Sequence, residues 1–288
     1  CNATNSLDFS IMERTAFTKM YKKAKEKGTE AISMEYDIPQ EEVEVLLPSL
    51  IVLNRLLKYT VNDSILLSNV LLSDAVMFEM LFPKEASFVV KAYEEFTLQS
   101  ATSIAERFGR DTGHISRVSS VALEIYDKMK KLHGYKLRER TLLQVSAILQ
   151  DIGKYVNVRN HALLSYNTIT NLDIVGINDH ERLIIATVCY YHNGNIPSMD
   201  SPIYNQLSQE DRVMVSKLAA ILQISNAINT SHSPKFEQVS VNMKNGKLNI
   251  YLTTLKNINL EKWAFIAKSK LFREVYGLNA TIIKRGVL

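Results

Sequence analysis

The chain has 288 residues, with 34 Lys and Arg against 30 Asp and Glu, so its formal net charge is only +4. This near balance excludes a dedicated duplex-DNA-binding protein that relies on a strongly basic face. Hydrophobic residues make up 46% and charged residues 22%, which excludes wholesale disorder, and the length allows two domains. The 10 Gly and 6 Pro are few for this length, which favours a mostly helical protein.

Cysteine content and apolar runs indicate the compartment. The two cysteines, Cys1 and Cys189, cannot form a disulfide framework, which is typical of a reducing, cytoplasmic setting. No stretch is long and apolar enough to span a bilayer, and the first residues do not resemble a signal peptide. Because the chain does not begin with Met, we expect it to be part of a longer protein.

The first 80 residues predict three helices and one strand. An amphipathic pattern predicts a helix over 10–27 with Gly28 as its stop signal, and Pro39 begins a second helix. Residues 64–68 form an apolar run of strand length, and a third helix covers about 73–81. The backbone N–H and C=O groups of a lone strand need hydrogen-bond partners on a second strand. We therefore interpret this segment as the tail of an α/β domain whose sheet is mostly missing.

The rest of the chain divides into a helical block and a small mixed module. Helical periodicity and glycine breaks predict six helices, over 84–108, 112–132, 138–150, 160–171, 179–192 and 208–229. After residue 233 the period changes to two, and Asn245-Gly246 between alternating runs is a strong hairpin signal. A helix over 260–276 and a strand over 279–284 follow, which together predict a ββαβ module.

Four polar residues lie on the inward side of predicted helices. His114 shares a stripe with Val118 and Val121, and Asp151 follows an almost wholly apolar helix. A carboxylate at the end of a buried helix is costly unless it meets a cation, a metal or several donors. His192 and Asn226 also lie on the apolar sides of their helices. We therefore expect the four residues to converge at one interior point.

The spacing of these residues resembles the HD superfamily of metal-dependent phosphohydrolases. Its ligands are a His, an adjacent His-Asp pair and a distant Asp, which bind a divalent cation that activates water for attack on phosphorus. Here Gln150 precedes Asp151 in place of His, and Asn226 stands where the distant Asp is expected. Two of the four ligands are thus neutral amides, so we expect a degenerate site at His114, Gln150, Asp151 and Asn226 that holds no metal.

A closer resemblance, to the exopolyphosphatase / guanosine pentaphosphate phosphatase family, extends from about residue 31 to the carboxyl terminus. It depends on the order of several short strings: 45–53, 71–75, Arg107-Phe108, 150–153, Asn160-His161, 190–192 and 217–222. The resemblance implies a mainly α chain with an HD-like helical domain at 83–232. It also implies the remnant of an actin-like (ribonuclease-H-like) α/β domain at 1–82 and a small α/β terminal module at 233–288.

The same resemblance implies where catalysis resides. The family hydrolyses terminal phosphates of inorganic polyphosphate or guanosine pentaphosphate with phosphate loops of the form Asp-x-Gly-Ser/Thr and a general-base Glu in upstream domains. No loop of that form is present here, and Asp151-Ile152-Gly153 falls in the HD-like stretch. We therefore predict no catalytic residue and no cofactor in this chain, with Mg²⁺ expected for the intact enzyme.

The predicted role of the helical domain is to bind the polyanionic substrate or to mediate a homodimer. Lys154, Arg159 and His192 are candidates for a cationic lip, which Arg110 and Arg117 would extend. The simpler interpretation of Arg110 is an ion pair with Asp111 across a turn. We expect inorganic polyphosphate or guanosine pentaphosphate as the partner, and neither DNA nor a membrane.

Two alternatives stay open at this point. The first is an active HD phosphohydrolase on nucleotides, which would need His114, Asp151, His161 and His192 to form a metal site. Near-stoichiometric metal in the purified protein would favour it. The second is a regulatory or dimerisation scaffold, for which polyphosphate titration should show no saturable binding.

Overall fold

The computed structural model of the chain describes residues 9–68, 72–82, 87–231, 235–244 and 246–286. The chain divides into two compact units, Cys1–Ser87 and Phe88–Leu288. The predicted stop at Pro83 and the predicted domain boundary at 232/233 lie outside the described residues, and the boundary at 82/83 adjoins such a stretch, so all three stay predictions. Among the described helices, none has both the length and the apolar character needed to cross a bilayer.

The first unit pairs two short strands beside two long helices. Phe17, Val43 and Leu50 are buried between the helices and form the centre of its small core. The strands are antiparallel, with Phe9 opposite Ser68 and Glu13 opposite Ser64. Its elements in chain order are β1 (Phe9–Glu13), α1 (Arg14–Tyr36), α2 (Gln40–Leu57), β2 (Ser64–Ser68) and α3 (Leu72–Leu81).

One prediction for this unit was wrong and another is confirmed. Residues 10–13 were expected to begin a helix, but they form β1 and supply the partner that β2 lacked in the sequence. The pairing joins residues more than 50 positions apart, so no local pattern announces it. The expected stop at Gly28 is confirmed, because its φ of 76° and ψ of 168° interrupt α1, and a second helical stretch continues from there to Tyr36.

The second unit begins with helices that enclose a large apolar core. Helix α7 lies at its centre, with all residues from Thr141 to Leu149 buried except Gln144, and it packs on α5 and α9. The helices are α4 (Ser87–Arg107), α5 (Thr112–Lys128), α6 (Lys130–His133), α7 (Leu137–Leu149), α8 (His161–Ile169), α9 (Asp179–Tyr191), α10 (Pro202–Asn205) and α11 (Gln209–Ile228). A 3₁₀ turn, Ile152–Tyr155, joins α7 to α8.

The carboxyl-terminal residues form the predicted ββαβ module. β3 (Gln238–Lys244) pairs antiparallel with β4 (Lys247–Thr253), and β4 pairs parallel with β5 (Asn279–Arg285) through α12 (Asn259–Tyr276). A parallel pair needs such a crossover. Asn245 of the predicted turn lies outside the described residues, and Gly246 has the positive φ, 67°, of a hairpin glycine.

The module and the helical bundle share one core. Leu248, Ile250 and Leu252 on one face of β4 and Phe272 on α12 belong to the same apolar cluster as α5, α7, α9 and α11. Helix α12 packs along α11. The prediction of a mainly α chain with a helical domain followed by a small α/β module is confirmed.

Candidate functional site

A tight turn at the end of α7 places Asp151 inside the second unit. The apolar run to Leu149 buries the end of the helix, and Asp151 is only 3% exposed. The next turn packs closely on the start of α8, because a Cβ on Gly153 would lie 2.2 Å from the His161 carbonyl oxygen. The Ser165 hydroxyl donates to the Gln150 carbonyl (2.8 Å) and accepts from the Gly153 N–H (2.9 Å). These contacts fix His161 next to Asp151.

One carboxylate oxygen of Asp151 faces basic side chains. Lys154 Nζ lies 2.7 Å from Oδ2, and His114 Nε2 and Arg110 Nη2 lie 3.7 and 3.8 Å from the same atom. The side chains of Lys154 and Arg110 are about one-fifth exposed. Two permanent cations against one carboxylate leave this side of the pocket with a net positive charge.

The other carboxylate oxygen faces two imidazoles. Oδ1 lies 3.3 Å from His192 Nε2 and 3.6 Å from His161 Nε2, and the two Nε2 atoms are 3.2 Å apart. Nδ1 of His161 donates to the Val158 carbonyl (2.7 Å), and Nδ1 of His192 donates to the Cys189 carbonyl. Because Nδ1 carries the donated hydrogen in both rings, Nε2 is the ring atom that each imidazole turns toward Asp151.

Burial and charge act in opposite directions on the site's pKa values. Burial alone would raise the pKa of Asp151, but the contacts with His192 and Lys154 outweigh it and hold this pKa well below its usual value, so the carboxylate is ionised. Burial, reinforced by His192, lowers the pKa of His161 and favours its neutral form. Burial also lowers the pKa of Lys268, against the opposing pull of Asp151.

Lys268 belongs to the site although it comes from the terminal module. It lies on α12, and a Cβ on Gly194, two residues after His192, would be 3.7 Å from its Cγ. Asp151 raises the pKa of Lys268 and Lys154 lowers it, so the ammonium interacts electrostatically with both groups. The sequence prediction missed Lys268, since no local pattern links residue 268 to residue 151.

The distant amide of the site is Asn229. Its Nδ2 lies 2.7 Å from His114 Nδ1, and its Oδ1 accepts a hydrogen bond from Arg117 Nε at 3.4 Å. The predicted Asn226 is half-buried one helical turn earlier, and the described contacts do not join its side chain to His114. Residues three positions apart on a helix lie on the same face. The apolar pattern of α11 therefore could not distinguish position 226 from position 229.

The remaining predicted residues divide between the site and the surface. Gln150 is 1% exposed, and neither polar atom of its amide has a hydrogen-bond partner among the described residues. The expected Arg110–Asp111 pair was wrong: Asp111 caps α5 through the Gly113 N–H and lies 3.9 Å from Arg117 Nη2, whereas Arg110 faces the buried carboxylate.

Arg159 precedes α8 with an exposed side chain. Its backbone N–H donates to Asn157 (2.8 Å), and the described contacts do not bring its guanidinium to the carboxylate of Asp151. The structure therefore gathers Arg110, Lys154 and His192 around Asp151 and leaves Arg159 outside. Arg117 is connected to Asp151 only through Asn229 and His114.

A comparison with protein families identifies the chain. The model described as "Ppx/GppA phosphatase, domain III" matches residues 98–271, which is more than half of the sequence. The chain belongs to the Ppx/GppA phosphatase family. The resemblance noted in the sequence is thereby confirmed, and Arg110, Asp151, His192 and Lys268 all lie within the matched Ppx/GppA domain III.

Proposed function

We propose that this chain is the carboxyl-terminal part of a polyphosphate or guanosine pentaphosphate phosphohydrolase, and that its helical unit binds the polyanion without cleaving it. Membership of the Ppx/GppA phosphatase family supports a substrate of the polyphosphate type. The role of domain III as the polyanion-binding part is inferred from the charge of the pocket at Asp151.

The observation that carries this proposal is the excess of cations around one buried carboxylate. Lys154 and Arg110 contact Asp151, and Lys268 lies in the same field. One carboxylate cannot neutralise three such groups, and a phosphate chain would supply the missing negative charge. Arginine suits this task, because its planar guanidinium binds phosphate oxygens through two parallel hydrogen bonds.

Two features speak against a hydrolytic role of this chain: the polar groups around Asp151 and the sequence of its Asp-x-Gly strings. The amides of Gln150 and Asn229 provide neither the imidazole nor the carboxylate that the HD pattern uses. Asp-x-Gly occurs at Asp111 and Asp151, but neither string continues with Ser or Thr. The first begins α5, with Asp111 as its cap, and the second forms the 3₁₀ turn.

Titration with labelled long-chain polyphosphate tests the binding role. We expect saturable binding that weakens steeply with salt, and about tenfold weaker binding for Lys154→Gln or Arg110→Gln. Arg140→Gln is the matched control, because Arg140 pairs with Asp127 and lies roughly 15 Å along α7 from Asp151. Unsaturable binding at moderate salt, or an equal loss in the control, would contradict the proposal and favour a scaffold.

A second candidate is favoured by the meeting of Asp151 with His161 and His192. These residues, together with His114, could form the site of an active metal-dependent phosphohydrolase. Phosphate release from nucleotides by this chain alone, dependent on added Mn²⁺ and lost in His161→Gln, would select it. Release at background rates supports the polyanion-binding role.

We also propose that the chain forms a homodimer and is located in the cytoplasm. Sedimentation velocity at several protein concentrations tests the dimer, and a single species at the monomer mass of 32.7 kDa would refute it. A dimer that forms without any affinity for polyphosphate would support the scaffold instead.

A further inference from the structure

The first unit contains an apolar cavity that the proposed function does not use. The cavity lies between α1 and α2 and has a volume of about 240 Å³. Met20 and Ala24 line it from the first part of α1, Ile32 and Tyr36 from the second part, and Leu46 and Leu50 from α2. The members of each pair are four residues apart, so each helical part presents one face to the cavity.

The interruption of α1 at Gly28 creates this cavity. In a continuous helix, Lys23 and Glu35 would lie about 18 Å apart along the axis, yet their side chains form an ion pair. The two parts of α1 therefore fold toward each other at Gly28, whose φ of 76° glycine adopts at no steric cost. The space enclosed by these two parts and α2 is built into the backbone of the unit.

The rim of the cavity carries a positive charge. Lys23 is one of the lining residues, and its Nζ lies 3.0 Å from the Tyr36 hydroxyl and 5.2 Å from the centre of the Tyr36 ring. The Glu35 carboxylate is shared between Lys23 and Lys27, whose Nζ lies 2.7 Å from Oε2. The contacts with Glu35 and Tyr36 raise the pKa of Lys23 to about 12, so Lys23 stays charged. Two ammonium groups against one carboxylate leave this part of the rim net positive.

We propose that this cavity binds an aliphatic carboxylate of about eight to ten carbon atoms, with its chain inside and its carboxylate at Lys23. The volume determines the length: a dry cavity of about 150 Å³ holds benzene, roughly 25 Å³ per carbon atom, so about 240 Å³ holds about eight to ten. The apolar lining favours hydrocarbon, and the ammonium at the rim favours an anionic head group. The proposal does not depend on polyphosphate binding or on hydrolysis.

A series of straight-chain carboxylates tests the size of the site by calorimetry on the whole chain. Octanoate should bind saturably with a 1:1 stoichiometry. From hexanoate to octanoate, the affinity should rise about fourfold for each added methylene group, because each one is removed from water. Beyond about ten carbon atoms the affinity should level off, since further methylene groups stay in water. Failure to saturate, or an affinity that keeps rising through tetradecanoate as in surface adsorption, would overturn the proposal.

The head group is tested with octanol and octylammonium, which have the same chain. Wild type should bind octanoate about fivefold more tightly than octanol, and octylammonium more weakly than either. Lys23→Gln should abolish the preference for octanoate and keep the affinity for octanol, which also shows that the variant is folded. Lys19→Gln is the matched control, because Lys19 is exposed one turn earlier on α1 and outside the cavity. A preference that survives in Lys23→Gln, or is lost equally in the control, would overturn the proposal.

Ala24→Leu tests the cavity itself. Ala24 is 6% exposed and lines the cavity, so the added isopropyl group should fill part of it and weaken octanoate binding at least tenfold. Octanoate should raise the melting temperature of wild type but not that of Ala24→Leu. Octanoate binding kept in a folded Ala24→Leu protein would overturn the proposal. So would failure of wild type to bind octanoate because a second copy covers the cavity, which sedimentation velocity would show; if Ala24→Leu does not fold, the chain-length series decides.

Discussion

Gly153→Ala is the substitution that most directly tests how the 3₁₀ turn positions the site. The added Cβ would lie 2.2 Å from the His161 carbonyl oxygen and 2.5 Å from the Ser165 nitrogen, against about 3.5 Å for ordinary contact. Both atoms are backbone, so no side-chain rotation relieves the clash, and the start of α8 must move by roughly 1 Å. The Gly153 N–H would then also lose its hydrogen bond to the Ser165 hydroxyl.

Overpacking typically costs about 1–3 kcal/mol, and a backbone clash belongs at the upper end. We expect a loss of about 3 kcal/mol, which lowers the melting temperature of a unit of this size, Phe88–Leu288, by roughly 6–12 °C. Differential scanning calorimetry measures this shift. Gly286→Ala is the matched control, since nothing lies within 4 Å of its added Cβ and its φ is not positive. A Gly153→Ala protein that melts within 2 °C of wild type would refute this account of the turn.

Two further predictions concern buried polar residues. Asn229→Ala removes the contacts to His114 and Arg117 and should lower the free energy of unfolding by about 1–2 kcal/mol in urea titrations, whereas Asn226→Ala should change it by less than about 0.5 kcal/mol. Equal losses of unfolding free energy in the two variants would contradict the assignment of Asn229 as the distant amide of the site. Burial lowers the pKa of His133, so the unfolded chain takes up this proton first as the pH falls. The stability that His133 contributes is therefore complete above about pH 6.5 and decreases below it. The free energy of unfolding, measured in urea from pH 7.5 to pH 5, should fall less with decreasing pH for His133→Gln than for wild type. Equal slopes for the two proteins would contradict the role given to His133.

Local patterns were sufficient for most elements of the second unit. The predicted helices over 112–132, 138–150, 179–192 and 208–229 correspond to α5 with α6, α7, α9 and α11. The alternating runs around Gly246 correspond to β3 and β4. These features repeat over short windows, where helical or strand periodicity and glycine breaks are informative. Strand β1 was not predicted, because its hydrogen-bond partners lie on a strand more than 50 residues away.

The candidate site could be predicted only in part. An inward His114 and a buried carboxylate at Asp151 follow from the apolar faces of single helices. Arg110 faces Asp151 instead of pairing with Asp111, and Asn229 instead of Asn226 contacts His114, because of how separate helices pack. Position along one helix constrains a face but not the residue that the opposite helix presents.

The sequence by itself determined the class of the chain: a mainly α protein with a helical domain of HD type, in the family that the comparison confirms. Tertiary structure alone decided which groups surround Asp151. His161, His192 and Lys268 come from three elements between 10 and 117 residues further along the chain, and only their packing brings them to one carboxylate. The physical reason is that charge and donor geometry at a buried point depend on distances in space, which no single stretch of sequence encodes.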